Sequence, residues 1–215
     1  HLASLASLPG YSIQAVHNYP FHLDPGTRPA LIAGVAAWFN INPFRLCRAI
    51  MQDSGYSIAG ARSSQPILYE VVDASPDYKQ IALNRSFTDN IYFVYTGGDK
   101  GLSGEREKIE RAGNIPQLIS KIREINKNII QSGSLEDFEK ALLEYEQLLS
   151  GVLDEKSYQE RLFGGFSGVI KPLTSKSSEF LLVTWKGTMD ELREYFAGYN
   201  LQTLFHWDEL IKNER

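Results

Sequence analysis

The sequence predicts an α+β fold, and two kinds of pattern predict it. Apolar residues recur at helical spacing in two long segments, 115–130 and 135–149, which indicates amphipathic helices. Short β-rich apolar runs bounded by turn residues, most clearly Ile91–Tyr95, indicate strands. A chain of 215 residues with 43% apolar composition can bury a substantial core, in one large domain or two small ones.

The first half of the chain predicts two strands and two helices. Alternating apolar and polar residues favour a strand over 11–16. The small apolar residues of 30–39 predict a helix that is buried nearly all round. Asn42 as a cap, followed by proline at the first helical position, predicts a helix over 43–52. The β-rich run 67–72 predicts a second strand.

The second half predicts the order strand, helices, strand, strand, helix, strand. This is the split βαβ, or ferredoxin-like, pattern with an enlarged first crossover. Ser134 is expected to cap the helix 135–149, Asp154 to cap a short helix that ends near Phe163, and Thr188 with Glu191 to form a capping box. The remaining predicted elements are a helix at 105–112, a hairpin of strands at 169–173 and 180–185, a strand at 201–205 and a helical turn at 207–212.

The segment 73–90 is polar and contains a proline, so it predicts the domain boundary. We therefore expect one domain over residues 1–85 and a second over residues 86–215. We expect the second to form a four-stranded antiparallel sheet with its helices on one face.

Composition excludes several classes of function. The formal net charge is −4 and no run of Lys or Arg interrupts it, so nucleic-acid binding is not expected. No apolar stretch reaches the ~20 residues of a membrane helix, so no membrane association is expected. The single cysteine, Cys47, rules out an internal disulfide and favours a reducing, cytoplasmic location. Because the chain begins with histidine rather than Met, we expect it to be processed, trimmed or a fragment.

Most motif candidates are better explained as structure. The four histidines are scattered, so no metal site is predicted, and Cys47 is expected to be a buried, unreactive thiol. The glycines of 164–168 resemble a loop that enters a strand, because a Walker lysine and a dinucleotide-binding context are both missing. The acidic residues of 136–146 are expected to form the solvated face of a helix.

Three polar loops remain, at 24–29, 53–59 and 174–179. In the first, only Gly26 supplies the backbone freedom that a phosphate-binding turn needs, and its two prolines remove two N–H donors. Each loop alone is unremarkable, and the order in which they occur is the informative feature.

In that order the segments resemble the GHMP family of small-molecule kinases, which includes galactokinase, homoserine kinase, mevalonate kinase and phosphomevalonate kinase. The similarity is greatest to the subgroup with a Gly-Tyr-Asp-Ile-Ala motif, because 54–59 reads Ser-Gly-Tyr-Ser-Ile-Ala. The collinear order of the segments carries the resemblance more than any single motif does. The other matching segments are 18–22, 24–32, 38–46, 65–69, 91–95, 166–168 and 177–182.

The resemblance implies an incomplete N-terminal domain like ribosomal protein S5, followed by a ferredoxin-like GHMP C-terminal domain with helical insertions. It also implies ATP and Mg as cofactors and a mevalonate-like substrate, if the chain is a kinase. The family's functional positions fall on Gly26, Thr27 and Arg28 in the ATP loop, on Ser57 at the catalytic aspartate, and on Ser177, Ser178 and Glu179 in the C-terminal loop.

The departures from the family pattern all remove catalytic chemistry. The family's ATP loop is rich in glycine and serine, whereas this chain has Asp24 and two prolines there. Ser57 cannot hold the negative charge with which the family's aspartate orients or deprotonates the substrate hydroxyl. The late loop has lost its glycines, and the first strands of the N-terminal domain are missing from the sequence.

Three hypotheses about function follow. The chain is a non-catalytic GHMP-like binding or interaction protein that needs no cofactor, an unconventional ATP-dependent kinase of a small alcohol or phosphate, or a fragment of a longer kinase-like chain. The apolar N-terminal half, with strands left unpaired, predicts a homo-oligomer or a partner chain bound through that half.

Overall fold

The computed structural model divides the chain into two compact units, His1–Ala82 and Leu83–Arg215. The predicted strand at 11–16 lies outside the described residues, as does most of the predicted helix at 105–112. The structure describes residues 27–51, 55–73, 75–84, 86–97, 108–109, 111, 113–173 and 179–211.

The first unit begins with three helices, α1 (Thr27–Trp38), α2 (Pro43–Met51) and α3 (Tyr56–Ala61). The predicted start of α2 is confirmed. The side-chain oxygen of Asn42 accepts hydrogen bonds from the backbone N–H groups of Phe44 and Arg45, at 3.0 and 3.1 Å. These bonds satisfy two of the donors that a helix leaves unpaired at its start.

The helix α1 is present, but the expectation that it is buried all round is wrong. Its buried side includes Ile32 and Ala36, which pack with residues of α2 and α3 in a small core. On the rest of its surface Leu31 and Trp38 are exposed, Trp38 by 62%. Small apolar residues permit burial on every side, but the described neighbours cover only one stripe.

A hairpin follows, formed by β1 (Ile67–Val72) and β2 (Ser75–Gln80). The two strands pair antiparallel from Ile67 opposite Gln80 to Val72 opposite Ser75. The sequence predicted β1 but not β2, because β2 is polar and contains a proline. One edge of β1, expected to be unpaired, is therefore paired.

The second unit contains four strands and five helices among its described residues. Mixed helix and sheet, the predicted α+β class, is confirmed. In chain order the elements after a 3-10 turn at Thr88–Asn90 are β3 (Ile91–Tyr95), α4 (Ile115–Gln131), α5 (Leu135–Leu153), α6 (Tyr158–Leu162), β4 (Ile170–Pro172), β5 (Phe180–Thr184), α7 (Met189–Ala197), β6 (Leu204–His206) and α8 (Trp207–Leu210).

The four strands form one antiparallel sheet in the order β4-β5-β3-β6. The first strand of the unit, β3, lies between the third and the fourth, with Phe93 opposite Leu182 on one side and Phe205 on the other. The predicted hairpin of β4 and β5 is confirmed, and so is the four-stranded antiparallel sheet. The three described helices α4–α6 form the enlarged crossover.

Helices cover both faces of this sheet, so the expectation of helices on one face is wrong. Successive strand residues point to opposite faces. Tyr92 and Val94 therefore pack with Leu192 and Phe196 of α7, as well as with residues of α6. Their neighbours on β3 face the opposite layer, where Phe93 packs with residues of α5 and α8. The long crossover supplies the second layer.

Capping residues fix the ends of several helices. Ser134 accepts from the N–H of Asp137, and Thr188 forms the predicted capping box with Glu191. Asp154 does not cap α6. It ends α5 with a left-handed backbone, φ 53°, and Ser157 caps α6 instead in a second capping box. A short polar side chain can serve at either end of a helix, which explains the wrong assignment.

Candidate functional site

Ser57, the position of the family's catalytic aspartate in the resemblance, is the second residue of α3. The preceding Gly55 has φ 104°, a backbone conformation that favours glycine. A Cβ there would lie 2.8 Å from Cδ1 of Phe44 and 3.3 Å from the hydroxyl of Tyr69. Glycine is therefore required at the start of α3 because α2 and β1 both approach it closely.

The Ser57 side chain is half-buried between an exposed and a buried neighbour. Tyr56 is exposed, whereas Ile58 is fully buried in the core of the first unit. A serine hydroxyl is not a base at neutral pH and requires an adjacent base to become a nucleophile. The packing of α3 thus presents a hydroxyl where the resemblance expects a carboxylate.

The ATP-loop positions are only partly within the described residues. Gly26 and the side chain of Thr27 lie outside them. Thr27 and Arg28 were expected in a loop, but they begin α1 and Arg28 is exposed there. The first turn of α1 contains no acidic residue, and its Pro29 lacks an N–H donor. Arg28 is the basic residue of this first turn.

The C-terminal loop positions belong to the second unit. Ser177 and Ser178 lie outside the described residues. Glu179 is exposed, and its backbone carbonyl accepts a hydrogen bond from the N–H of Thr96 at 2.9 Å. Its backbone therefore extends the pairing of β5 with β3, and its carboxylate is solvated.

A buried ionic group that the sequence did not predict lies between α5 and β4. Lys171 extends over the ring of Tyr145, with Nζ 4.4 Å from the ring centroid, and lies 3.9 Å from a carboxylate oxygen of Glu146. Its Nζ also donates to the carbonyl of Pro172 at 3.0 Å. Burial lowers the pKa of Lys171, and the nearby Glu146 partly opposes this shift. Burial also raises the pKa of Tyr145.

The acidic segment 136–146 is therefore not entirely a solvated face, which corrects the sequence-based expectation. Glu146 is paired with Lys171, and the side chains of both are nearly buried. Glu139 accepts a hydrogen bond of 2.5 Å from the hydroxyl of Thr184, which is fully buried. The sequence signal for this ion pair was a lysine between two apolar residues in β4. Such a pattern does not indicate which residue pairs with the lysine.

The glycine-containing segment 164–168 enters β4 as predicted, and Gln159 holds it. The amide nitrogen of Gln159 donates to the carbonyl of Gly168 at 2.9 Å, and its oxygen accepts from the N–H of Ile170 at 2.9 Å. A Cβ at Gly168 would lie only 1.9 Å from the carbonyl oxygen of Thr184. Glycine is required here for strand packing, which is a structural role.

The described residues show neither a metal-binding cluster nor a helix that could span a membrane. Within the parts of the chain that the structure describes, no group of three or more His, Cys, Asp or Glu side chains could hold a metal ion. No helix in those same parts is both long and apolar enough to cross a membrane.

Comparisons with known proteins also give no match. No family model, no curated protein and no solved structure matches this chain significantly.

Proposed function

We propose that this chain is a GHMP kinase-like protein that does not transfer phosphate and acts as a binding or interaction module. One observation carries the proposal. At the position of the family's catalytic aspartate stands Ser57, on a helix whose start is fixed by close packing at Gly55. The surroundings of that position are well packed, but the group that would orient or deprotonate a substrate hydroxyl is changed.

The segment that matches the family's phosphate-binding loop supports the same proposal. Phosphoryl transfer depends on positioning the phosphates and stabilising their charge. In the family this is the work of a glycine-rich loop before a helix, where backbone N–H groups converge on phosphate. Here prolines occupy two of these positions and Asp24 adds a repelling charge, while Arg28 alone supplies attraction. We also propose the ferredoxin-like GHMP assignment of the second unit, supported by its strand order.

The experiment is an assay of phosphoryl transfer from Mg-ATP to mevalonate, with the parent chain and the Ser57→Asp variant. We expect no transfer above background from either protein, because the aspartate restores the base position but not the phosphate loop. A fold control by circular dichroism accompanies the variant. Transfer by the parent would establish the alternative function, an ATP-dependent small-molecule kinase. Transfer by the variant alone would show that the loop still works.

We further propose that the first unit associates with a second copy or a partner chain. Several of its described apolar side chains are exposed, among them Trp38 and Ile50, each by at least 50%. Exposed apolar surface favours association. Light scattering at micromolar concentration should give a mass above 24.2 kDa. A stable monomer in which Trp38→Ser changes neither solubility nor mass would contradict this proposal.

A further inference from the structure

A cleft in the second unit lies between α5 and the segment that runs from α6 into the glycine turn. Its volume is about 240 Å³, the size of a small organic molecule or fragment. Its walls include Leu143, Glu146 and Gln147 from α5, and Glu160, Phe163 and Gly164 from the facing segment. Residues three or four apart on one helix share a face, which is why these positions of α5 line one wall.

The facing wall is held in place by its own hydrogen bonds. Glu160 accepts from the backbone N–H and from the hydroxyl of Ser157, both at 2.9 Å. Oε2 of Glu160 accepts both hydrogen bonds, so Oε1 of Glu160 takes no part in the capping box. Gln159 ties α6 to the segment that enters β4 through its hydrogen bonds with Gly168 and Ile170. A wall that is already ordered loses little entropy when a ligand binds.

The cleft presents negative charge beside apolar surface. Glu146 and Glu160 contribute carboxylates, and no Lys or Arg is among the described residues that line the cleft. Hydrogen bonds from Ser157 lower the pKa of Glu160, so it is ionised at neutral pH. Among the described residues, the cations near these carboxylates include Lys171, 3.9 Å from Glu146, and Lys156, near Glu160. Leu143 and Phe163 supply surface for a hydrocarbon part.

The protein already places one ammonium group against these same elements. Nζ of Lys171 lies 3.9 Å from Glu146 and 4.4 Å from the centre of the Tyr145 ring. A carboxylate combined with an aromatic face is a favourable environment for an ammonium ion. At 3.9 Å the Lys171–Glu146 contact is an ion pair beyond hydrogen-bond distance. The carboxylate of Glu146 and the ring of Tyr145 offset part of the cost of burying this ammonium group, whose pKa is lowered by burial.

We propose that this cleft binds a small organic ammonium ion. The ammonium group lies between the carboxylates of Glu146 and Glu160, and the hydrocarbon part lies against Leu143 and Phe163. The site belongs to the second unit alone, so it does not depend on the proposed absence of kinase activity.

The test uses three probes of equal length on the full chain at pH 7, namely n-butylammonium, n-butanol and butyrate. Binding is followed by the backbone amide shifts of the protein. We expect n-butylammonium alone to cause saturable shifts, and these should include Gly164 and Gly165. Equal binding of n-butanol or of butyrate, or saturable shifts confined to other regions, would overturn the proposal, as would no saturable shift at all.

Two variants with matched controls locate the site. Glu160→Gln removes one charge but keeps a side chain that can complete the capping box. We expect it to weaken n-butylammonium binding about tenfold, which corresponds to about 1.4 kcal/mol. Glu191→Gln makes the same change in the capping box of α7, outside the cleft, and should leave binding unchanged. Equal effects of the two variants would contradict the assignment.

The second variant fills the cleft. A Cβ at Gly164 would meet no atom within 4 Å, so Gly164→Leu adds a side chain without backbone strain. It should reduce binding at least tenfold. Gly151→Leu is the control. A Cβ at Gly151 would also meet no atom within 4 Å, and Gly151 does not line the cleft. Unchanged binding by Gly164→Leu would show that the probe binds elsewhere.

Discussion

The two units differ in how completely their apolar residues are covered. In the second unit both faces of a four-stranded sheet are packed, and Phe196 is fully buried. In the first unit one small core joins three helices, while Leu31 and Trp38 on the same helix remain exposed. A helical pattern in the sequence therefore predicts a helix more reliably than it predicts which residues cover that helix.

The largest loss of unfolding free energy is expected from a substitution in the core of the second unit. Phe196→Ala removes a ring that packs edge-on against Phe163 at 5.6 Å and lies beside Phe166. We expect the free energy of unfolding of this unit to fall by about 3–5 kcal/mol. Urea unfolding in a Trp38→Phe background, followed by the fluorescence of Trp185 and Trp207, measures it. Tyr199→Ala, at a partly exposed position of the same cluster, should cost clearly less, and an equal cost would contradict the described packing.

A smaller loss of unfolding free energy is expected when the hydrogen bond between Thr184 of the sheet and Glu139 of the crossover helix α5 is removed. The hydroxyl of Thr184 donates to Glu139 and accepts from the N–H of Val169 at 2.9 Å. Thr184→Val leaves both partners without this group, at a cost of about 2 kcal/mol in unfolding free energy. Glu139→Gln keeps an acceptor for the hydroxyl, so the loss should be smaller. If Thr184→Val is as stable as the parent, the contact does not stabilise the unit.

The smallest expected effect is a loss of stability at low pH. It should occur at the starts of α6 and α7 in the second unit but not at helix starts in the first unit. Hydrogen bonds to their caps lower the pKa values of Glu160 and Glu191 below the ordinary 4.5. Their stabilisation is therefore complete above pH 4.5 and is lost as the pH falls through the lowered values. The capping side chain of α2 is the neutral Asn42, and the first turns of α1–α3 contain no acidic residue.

Hydrogen exchange, corrected for intrinsic pH dependence, measures this difference. Below pH 4.5 the first turns of α6 and α7 should lose protection, whereas the first turn of α2 should not. Glu191→Gln should remove the pH dependence at α7 alone. Parallel loss of protection in α2 would mean that the carboxylate caps are not its cause.

The sequence predicted the second unit well because its signals are local. Ser134 and Thr188 mark the starts of two helices, and β-rich runs indicate the strands β3 and β5. The contacts of Lys171 with Glu146 and Tyr145 were not predictable, since they join residues about 25 positions apart whose local patterns do not specify a partner. The packing of helices on both sheet faces depends on the same kind of distant contact.

In the first unit the local signals also succeeded where they were present. Asn42 marked the start of α2, but the polar strand β2 gave no apolar alternation and was missed. At the candidate site, Gly55 and Ser57 could be recognised only through the resemblance. The reason for the glycine, close approach of Phe44 and Tyr69, is a tertiary contact that no local pattern contains.

We propose that this chain does not use ATP, and calorimetric titration of the intact protein with Mg-ATP tests that claim. We predict no saturable heat that corresponds to a dissociation constant below about 100 μM, a binding free energy near −5.5 kcal/mol. The reason is that the loop which the resemblance matches to the family's phosphate loop contains Asp24 and two prolines, and it keeps only Gly26 to let backbone N–H groups approach the phosphates. A saturable one-to-one binding isotherm tighter than that value would contradict the claim.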